Sequence, residues 1–262
     1  MPEGPEILYY VMLFKQKFVG KELVDIISHV EKNGINKMVG KITDVDCKGK
    51  LLWFEVDKKY YIQIHLKITG YYAFNFEKYL KYELVFMNNE KQKEILYIND
   101  MRGFLSLNIL NEEEHLNVLK KSGMSIFDNN FSYEYFCDVI KKNKNKMLCG
   151  ALFDQKNISG MGNYILNEIF FLSKVNSELK INELKDSEIE LLYNNILFVA
   201  YSSLITLLSD NNLKLDKKIY TNIPKKNILE IPYNIKIYGR KTLDDGTIVK
   251  NKKVSGRKMY YL

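Results

Sequence analysis

Cysteine and proline are both scarce in this sequence. Its 262 residues include three cysteines and four prolines. Cys47, Cys137 and Cys149 show no Cys-x-x-Cys spacing, which argues against a zinc site built from cysteines and against a disulfide scaffold. We therefore expect no bound metal, and nothing in the sequence indicates a cofactor.

A long hydrophobic run is also missing. The longest apolar stretch, "ILFVAYSSLITLL", is shorter than the roughly 20 residues that a membrane span needs, and it contains Ser202, Ser203 and Thr206. No basic and apolar leader precedes the opening residues "MPEGPEI". We expect an intracellular monomer, in the cytoplasm or the nucleoid, without a membrane partner.

Arginine is rare although lysine is abundant. Of the 39 basic residues only three are arginine, namely Arg102, Arg240 and Arg257. The planar guanidinium of arginine binds phosphates and base edges better than lysine does. These three positions are therefore candidates for such contacts, and chance placement is the alternative.

The net charge of +7 is unevenly distributed. From Lys214 to Leu262 there are 13 lysines and arginines against 4 acidic residues, so the rest of the chain is slightly acidic. A second basic cluster, "KKNKNK", occupies 141–146. Basic segments interleaved with tyrosine suit a polyanion such as nucleic acid. On charge alone, a solvated surface of a lysine-biased protein is an equally good interpretation.

The pattern of apolar residues changes along the chain. A helical pattern at "EILYYVMLFKQKFVG" is followed by short strand-like runs to about residue 110, and helical patterns return from 111. The tail favours a loop and then a hairpin that turns at "LDDGT". The sequence predicts an α+β fold in three domains. Residues 1–110 form an N-terminal helix with a two-layer antiparallel β-sandwich, 111–215 a helical domain, and 216–262 a loop and β-hairpin.

Two short motifs carry the strongest signals. The opening "MPEGPEI" has two prolines within five residues, which favours the start of a helix over its interior. In "DQKNISGMGNYILNEI", a Gly-x-Gly-Asn precedes a periodic helix, so backbone N–H groups and Asn163 can converge on a phosphate, with Lys156 adding a charge. Taken alone, this second motif is more often an ordinary turn.

Together these motifs resemble the formamidopyrimidine-DNA glycosylase and endonuclease VIII family of base-excision repair enzymes. The resemblance runs in order along nearly the whole chain through "MPEGPEI", "KGKLLWFE", "IHLKITG", "NDMRGF", "DQKNISGMGNYILNEI", and "IYGRK" followed by "VSGRKMYY". It implies a helix-two-turn-helix element in the helical domain. It also implies double-stranded DNA with an oxidised base or an abasic site as the partner.

The resemblance places the catalytic chemistry at the N-terminus and at Lys50. Removal of the initiator methionine leaves Pro2 as the N-terminal residue, whose secondary amine is the nucleophile. An α-amino group has a pKa of roughly 7.7–8.0, so it is partly neutral at physiological pH. Glu3 corresponds to the general acid and base, Glu6 to a residue that orients the site, and Lys50 to a phosphate contact beside the lesion. Without the resemblance, Lys50 would be interpreted as a solvent-facing strand lysine.

Further residues match the family's DNA contacts at the C-terminal end. Arg257 in "VSGRKMYY" corresponds to the finger arginine that holds a phosphate, and Arg240 in "IYGRK" to a DNA-binding residue. Many members build this finger around a zinc ion held by four cysteines, and this tail has none. The resemblance is to zinc-less members, whose hairpin is held by strand pairing, with Tyr238, Tyr260 and Tyr261 packed across it. A decayed finger with a loose Arg257 is the alternative.

An enzyme that flips a base out of the duplex must also fill the gap. By resemblance to the formamidopyrimidine branch, Ile68 is an apolar wedge, Phe104 a stacking residue and Arg102 a partner for the orphaned base. Gly103 stands where that branch often has a second arginine. His65 is expected to be a structural hydrogen-bonding residue.

The implied activity is that of a bifunctional glycosylase and abasic-site lyase that cleaves by β,δ-elimination. "MPEGPEI" and "GNYILNEI" favour the endonuclease VIII branch, which removes oxidised pyrimidines. "MRGF" favours the branch that removes 8-oxoguanine and formamidopyrimidines, and 209–234 is a candidate cap for a flipped purine. The rival from another class is a non-catalytic protein that binds damaged DNA. Action on RNA is a further alternative, for which the sequence has no aromatic signature.

Overall fold

The chain folds into two compact units. The computed structural model describes residues 2–30, 38–213 and 233–262. One unit comprises Met1–Pro2 and Glu6–Lys121, and the other comprises Glu3–Pro5 and Ser122–Leu262. The three domains divided at 110/111 and 215/216 stay a prediction, and the second of these boundaries lies outside the described residues.

The first unit contains a long helix, a sheet and a short helix. Helix α1 begins directly after the opening motif, and its two prolines lie before and within its first turn, where a missing N–H is tolerated. The elements are α1 Gly4–Phe18, β1 Glu22–Ser28, β2 Gly40–Lys48, β3 Leu51–Val56, β4 Tyr60–His65, β5 Gly70–Ala73, β6 Leu80–Met87, β7 Lys93–Asp100, β8 Ser106–Asn111 and α2 Glu112–Leu119.

The strands form one continuous antiparallel sheet that folds over on itself. Its order is β5-β7-β6-β1-β2-β3-β4-β8, and only two residue pairs join β1 to β2. In a flat sheet β3 and β6 would be about 14 Å apart, three strand spacings. The rings of Phe54 on β3 and Phe86 on β6 are nevertheless 6.0 Å apart. Two layers therefore face each other, and the expected α+β fold with an antiparallel sheet is confirmed.

Helix α1 closes the core of this unit. Its buried residues follow helical spacing, from Ile7 through Val11 and Phe14 to Phe18. The ring of Phe18 stacks on that of Phe86 at 4.1 Å. Burying one such aromatic side chain contributes about 1.5–3 kcal/mol, so α1 is fixed firmly to the sheet.

The second unit is mostly helical. Its elements are β9 Met124–Ser125, α3 Tyr133–Lys142, α4 Leu148–Phe153, β10 Ile158–Ser159, α5 Asn163–Ser173, a 3-10 turn Ile181–Glu183, α6 Asp186–Asp210, β11 Lys250–Val254 and β12 Arg257–Tyr261. Helices α4 and α5, with the connection 154–162, occupy the position expected for the helix-two-turn-helix. Residues 209–234, the candidate cap for a flipped base, lie for the most part outside the described residues.

Helix α6 is more extensive than its apolar run suggested. By length and composition its 25 residues are apolar enough to cross a membrane, whereas we had expected no such segment. Half of its most apolar window is buried inside the protein, where the helix packs on α5 and α3. A core helix passes the same test, so this is weak evidence for a membrane span.

The C-terminal hairpin turns at a different place from the one expected. Strands β11 and β12 pair through Val254↔Arg257, so the turn consists of Ser255 and Gly256. Their φ angles of 47° and 78° are those of a two-residue turn suited to hairpins. The turn predicted at "LDDGT" is wrong as the finger's turn, because those residues lie within a separate loop closed by the bridge Thr242↔Ile248. Arg257 is therefore the first residue after the turn.

Candidate active site and nucleic-acid interface

The opening motif supplies a carboxylate to the N-terminus of α5. Glu3 is 1% exposed. Its two oxygens accept hydrogen bonds from the backbone N–H groups of Tyr164 (2.9 Å) and Ile165 (3.3 Å). The first N–H groups of a helix have no partner within it, and the helix dipole favours a negative charge there. The helix thus holds Glu3 in one orientation, adjacent in sequence to Pro2.

Gly4 permits this close approach. Its N–H donates to the carbonyl oxygen of Gly160 at 2.8 Å. A Cβ atom at position 4 would lie 3.1 Å from that oxygen and 3.2 Å from the ring of Phe127. A larger residue would therefore push the N-terminal segment away from α5. This close contact accounts for the glycine of "MPEGPEI".

Asn163 is the first residue of α5. Gly160 has a φ of 104°, a conformation that favours glycine, so the chain reverses just before the helix. The Oδ1 atom of Asn163 is buried and has no hydrogen-bond partner among the described residues. Lys156 is exposed in the connection that precedes α5. The N–H groups of Tyr164 and Ile165 at the start of α5 already hold Glu3, so the carboxamide of Asn163 and the ammonium of Lys156 are the side-chain donors that this segment can offer to a phosphate.

Arg257 is exposed at the start of β12 but is not loose. Its guanidinium carbon lies 3.9 Å from the centre of the Phe153 ring, at the end of α4. A cation–π contact of this kind contributes about 0.5–1 kcal/mol at an exposed site. Stacking uses the face of the guanidinium, so its N–H donors, which lie in the plane, are available to a phosphate.

The finger is attached to the helices through several further contacts. Tyr238 and Tyr260 pack edge to face at 5.5 Å, as expected for the hairpin. The sulfur atoms of Cys149 on α4 and Met259 on β12 are 3.6 Å apart. Within the parts of the chain that the structure describes, no group of three or more His, Cys, Asp or Glu side chains is placed to hold a metal ion.

A buried carboxylate organises the segment that leads into the finger. Glu168 on α5 is fully buried. It accepts hydrogen bonds from the Tyr233 hydroxyl and from the backbone N–H groups of Lys236 (2.7 Å), Ile237 (2.9 Å) and Tyr238 (2.8 Å). Burial, and then the carboxylate, raise the pKa of Tyr233. Four donors on one carboxylate fix this segment to α5.

Arg240 follows that segment and is paired internally. It forms an ion pair with the exposed carboxylate of Asp244. A surface ion pair contributes at most about 1 kcal/mol, so a phosphate can replace the aspartate at little cost. The role of Arg240 in binding DNA stays a prediction.

Lys50 occupies a turn rather than a strand in the first unit. It follows Gly49 between β2 and β3 and is half-buried, so the strand interpretation is wrong. His65 lies at the end of β4. Burial, followed by the positive charges of Lys67 and Lys50, lowers the pKa of His65 to about 4. The His65 Nδ1 atom accepts the Lys67 N–H at 3.1 Å. His65 is therefore a neutral hydrogen-bonding residue in a positive environment.

Asp100 joins two loops of the first unit. It is fully buried, and it accepts hydrogen bonds from the Thr69 hydroxyl and from the backbone N–H groups of Arg102 (3.1 Å) and Leu105 (2.7 Å). Burial alone would raise the pKa of Asp100, but these hydrogen bonds outweigh it and hold the pKa below its ordinary value. The loops after β4 and after β7 are thereby fixed to each other.

These two loops carry the predicted gap-filling side chains. Ile68 and Phe104 are 45% and 49% exposed, and the Arg102 guanidinium carbon lies 4.9 Å from the Phe104 ring centre. Met101, which sequence reasoning missed, is 56% exposed in the same loop. Gly103 has a φ of 68°, where an arginine would be strained. The backbone therefore accounts for the glycine at this position.

The remaining predicted residues lie at the start of α1. Pro2 is half-exposed just before the helix, and Glu6 lies in its first turn. The predicted site residues thus divide between the two units. The first unit holds Pro2, Glu6, Lys50, Ile68, Arg102 and Phe104, and the second holds Glu3, Lys156, Asn163, Arg240 and Arg257.

Two domain models of one family match the chain. The N-terminal domain of formamidopyrimidine-DNA glycosylase matches residues 1–107, and the H2TH domain of the same enzyme matches 123–206. The chain belongs to the formamidopyrimidine-DNA glycosylase family. Family membership makes it a DNA glycosylase of base excision repair, with DNA as its partner.

Individual relatives agree with this assignment. The formamidopyrimidine-DNA glycosylase of Mycoplasma genitalium is 27% identical over 232 residues, which cover 82% of this chain and 81% of that protein. A structure of MutM in complex with DNA containing carbocyclic 8-oxo-G has a TM-score of 0.77 at 21% identity, over 99% of this chain and 97% of that one. The Lactococcus lactis formamidopyrimidine-DNA glycosylase, bound non-covalently to DNA containing an AP site, has a TM-score of 0.77 at 20% identity, with the same coverage. At these identities the two structures show the fold.

Sequence reasoning missed three buried polar residues of this family member. They are Asp100, Asn167 and Glu168, each fully buried. All three lie inside the matching motifs "NDMRGF" and "GNYILNEI", but nothing in one sequence distinguishes a buried polar side chain from an exposed one. An acidic residue in an otherwise apolar helix such as α5 was the available signal.

Proposed function

We propose that the protein is an intracellular bifunctional DNA glycosylase and abasic-site lyase whose nucleophile is Pro2. The observation that carries this proposal is the Glu3 carboxylate, held by two backbone N–H groups of α5 directly beside that proline. Binding DNA without chemistry would not require a fixed carboxylate next to an N-terminal amine. The names of the relatives and the DNA in the solved structures support the same substrate, duplex DNA with an oxidised base or an abasic site.

The reaction begins at the Pro2 nitrogen, which becomes the terminal amine when Met1 is removed. This secondary amine attacks C1′ of the damaged nucleotide, the bond between C1′ and the base breaks, and the departing base takes up the proton that the amine nitrogen loses. The ring oxygen is protonated as the sugar opens, which leaves an iminium between the proline nitrogen and C1′. A secondary amine gives an iminium with a fixed positive charge, so no protonation is needed to keep it activated.

Strand cleavage follows from that charge. The iminium withdraws electrons and makes the C2′ proton acidic. Removal of this proton expels the 3′ phosphate, and a second elimination expels the 5′ phosphate. Water then hydrolyses the iminium and restores the amine of Pro2.

Glu3 moves the protons in these steps. It delivers one to the ring oxygen during the attack and removes one from C2′ during elimination, the two tasks of a general acid and base. A correctly placed group of this kind contributes about 10²- to 10⁴-fold to the rate. Its hydrogen bonds to Tyr164 and Ile165 keep the carboxylate from rotating away. Glu6, one helical turn away in sequence, orients the site.

Phosphate contacts place the nucleotide against this amine. Lys50 binds the phosphate beside the lesion from its turn, and Arg257 binds the phosphate of the flipped nucleotide from the finger. Asn163 binds a phosphate at the N-terminus of α5, and Lys156 and Arg240 extend the contact. Burial and then the positive charges of Lys67 and Lys50 lower the pKa of His65, and those two charges fit a phosphate near Lys50.

Exposed side chains on the two joined loops fill the space that the flipped base leaves. Ile68 enters as a wedge, Phe104 stacks, and Arg102 pairs with the orphaned base. Asp100 supports all three because it fixes both loops. The two candidate lesion classes are oxidised purines and oxidised pyrimidines, and most of the candidate cap, 214–232, lies outside the described residues.

Borohydride trapping tests this proposal. The Met1-processed protein is incubated with duplexes that carry an abasic site, 8-oxoguanine or an oxidised thymine, and sodium borohydride reduces any iminium to a stable covalent adduct. We expect an adduct that is absent in Pro2→Gly, and the lesion that traps best identifies the branch. Tight binding without an adduct on any duplex would establish the non-catalytic alternative instead.

A further inference from the structure

We propose that Asn167 is a positioning residue for the finger: its carboxamide pairs with the outer edge of β12 and so determines where Arg257 meets the DNA. Arg257 is the only one of the two that touches the phosphate. The inference therefore rests on the role proposed for Arg257, and it adds to that role a residue to which the resemblance assigned no function.

The carboxamide of Asn167 makes three hydrogen bonds. The residue lies on α5 and is fully buried. Its Nδ2 donates to the backbone carbonyl oxygens of Asn163 (2.7 Å) and Lys258 (3.2 Å), and its Oδ1 accepts the backbone N–H of Tyr260 (2.6 Å). The side chain is thus tied at one end to its own helix and at the other to β12.

The bonded groups of β12 are those that β11 leaves without a partner. In a hairpin with a two-residue turn, the residues that flank the turn exchange backbone hydrogen bonds, and the next pair does not. Val254 and Arg257 flank the turn, so the backbone groups of Lys258 and Tyr260 point away from β11. Asn167 reaches this edge with one donor and one acceptor, as a third strand would.

The β11–β12 hairpin needs such an attachment in order to be stable. A two-stranded hairpin by itself is only marginally stable in water. No candidate metal site lies within 2–30, 38–213 or 233–262. Contacts with the helices must therefore supply the order that the hairpin lacks. The sulfur contact between Cys149 and Met259 is apolar and tolerates sliding, whereas hydrogen bonds to two named backbone groups fix the register.

Register matters because Arg257 immediately precedes Lys258. A slip of one residue moves a side chain by about 3.3 Å along the strand and turns it to the opposite face. A phosphate contact requires a donor within roughly 2.7–3.2 Å. Loss of the pairing would therefore take Arg257 out of reach without removing its charge.

Few side chains can replace Asn167 and still make these three hydrogen bonds. Aspartate has the same shape but no N–H, so it would keep the bond from Tyr260 and lose both donated bonds. Alanine loses all three bonds, and glutamine has both groups on a longer chain. A matched control is Asn143, another buried asparagine of the second unit, whose Nδ2 donates to the Val139 carbonyl at 2.9 Å.

The first test is single-turnover excision by the full chain on whichever lesion duplex traps best. We expect Asn167→Ala and Asn167→Asp to slow excision by about 10- to 100-fold, as a misplaced catalytic contact does, and Asn143→Ala to leave the rate within about twofold of wild type. In an Arg257→Ala background, Asn167→Ala should slow excision less than about twofold further, because its effect passes through the arginine. Losses that multiply, or wild-type rates for both Asn167 variants, would overturn the proposal.

Hydrogen exchange of the C-terminal strand provides a test independent of catalysis. Mass spectrometry of a peptide covering 257–262 should show faster exchange in Asn167→Ala than in wild type, and no change in Asn143→Ala. Unchanged exchange in Asn167→Ala would show that the hydrogen bonds between Asn167 and β12 do not protect this strand, and the proposed pairing would be wrong. If Arg257→Ala excises at the wild-type rate, the proposed role of Arg257 fails and the positioning role fails with it, even where exchange shows that the pairing exists.

Discussion

The carboxylate of Glu3 accepts the backbone N–H of Tyr164 at 2.9 Å, although the two residues are 161 positions apart in the chain. The contact joins the opening motif to the first helical turn of α5, the second helix of the helix-two-turn-helix element. The two motifs are far apart in the sequence, but the chemistry proposed for Glu3 in the first depends on the backbone N–H groups of the second. A change in either motif is therefore expected to affect the same catalytic step.

Replacing the carboxylate tests this link. In Glu3→Gln the amide oxygen can still accept one N–H, but the amide NH2 group faces the second N–H, and the amide neither gains nor loses a proton at neutral pH. We expect single-turnover excision to fall by at least about 100-fold, while affinity for the lesion duplex changes little. Fluorescence anisotropy on the same duplex measures that affinity.

The matched control for this variant is Glu90→Gln, which removes one charge from an exposed turn between β6 and β7. It should excise at the wild-type rate. If Glu3→Gln does so as well, Glu3 has no part in proton transfer.

Substitutions in the gap-filling loops should lower excision activity without lowering the stability of the fold. Ile68 and Phe104 are both about half exposed, so Ile68→Ala and Phe104→Ala should change the free energy of unfolding by less than about 0.5 kcal/mol. We expect both to slow base excision, because the flipped state loses its filler. Urea denaturation and excision kinetics measured on the same samples compare the two effects.

Tyr60→Ala is the control for these loops. Tyr60 is 43% exposed and begins β4, the strand whose other end leads to Ile68. Its removal should leave both stability and excision near wild type. Equal excision by all three variants would exclude a role for the loops in base flipping.

We expect the planar geometry of the Arg257 guanidinium to matter more for the excision rate than its positive charge does. Arg257→Ala removes one phosphate contact, so the salt slope of DNA binding should fall by about one unit. Excision should fall more steeply, by an expected 10-fold or more. Arg257→Lys keeps the charge without the planar fork and should restore the slope but not the rate. If Arg257→Lys excises at the wild-type rate, only the positive charge of Arg257 matters and its planar guanidinium group has no special role.

His65 predicts a pH dependence of stability. Its pKa is about 4 in the folded protein and roughly 6.5 when exposed, so the unfolded chain binds more protons between these values. Stability should therefore be full above about pH 6.5 and decrease as the pH falls towards 4. His115, whose pKa burial also lowers, acts in the same direction.

His65→Asn should flatten this dependence. Urea midpoints at pH 7.5 and pH 5 measure it, and the difference between them should be smaller in the variant than in wild type. An unchanged difference would mean that His65 titrates alike in both states.

Much of the fold was predictable because its signals are local. The start of α1, the change from strands to helices and the glycine turn before α5 all follow from apolar spacing, proline and glycine. The finger's turn was not predictable, because "LDDGT" and "VSGRK" both contain turn dipeptides. Pairing between β11 and β12 decided between them, and pairing energy is not readable from either segment alone.

Motifs in a fixed order along the chain are sufficient to indicate the family and the residue types that are present for the chemistry. Ordered motifs are a property of the chain and need no coordinates. Tertiary structure decided what the buried polar groups do: Glu3 binds α5, Asp100 joins two loops, and Glu168 and Asn167 hold the finger's base and edge. The physical reason is that a polar side chain is tolerated in a core only with hydrogen-bond partners, and those partners lie far away in sequence.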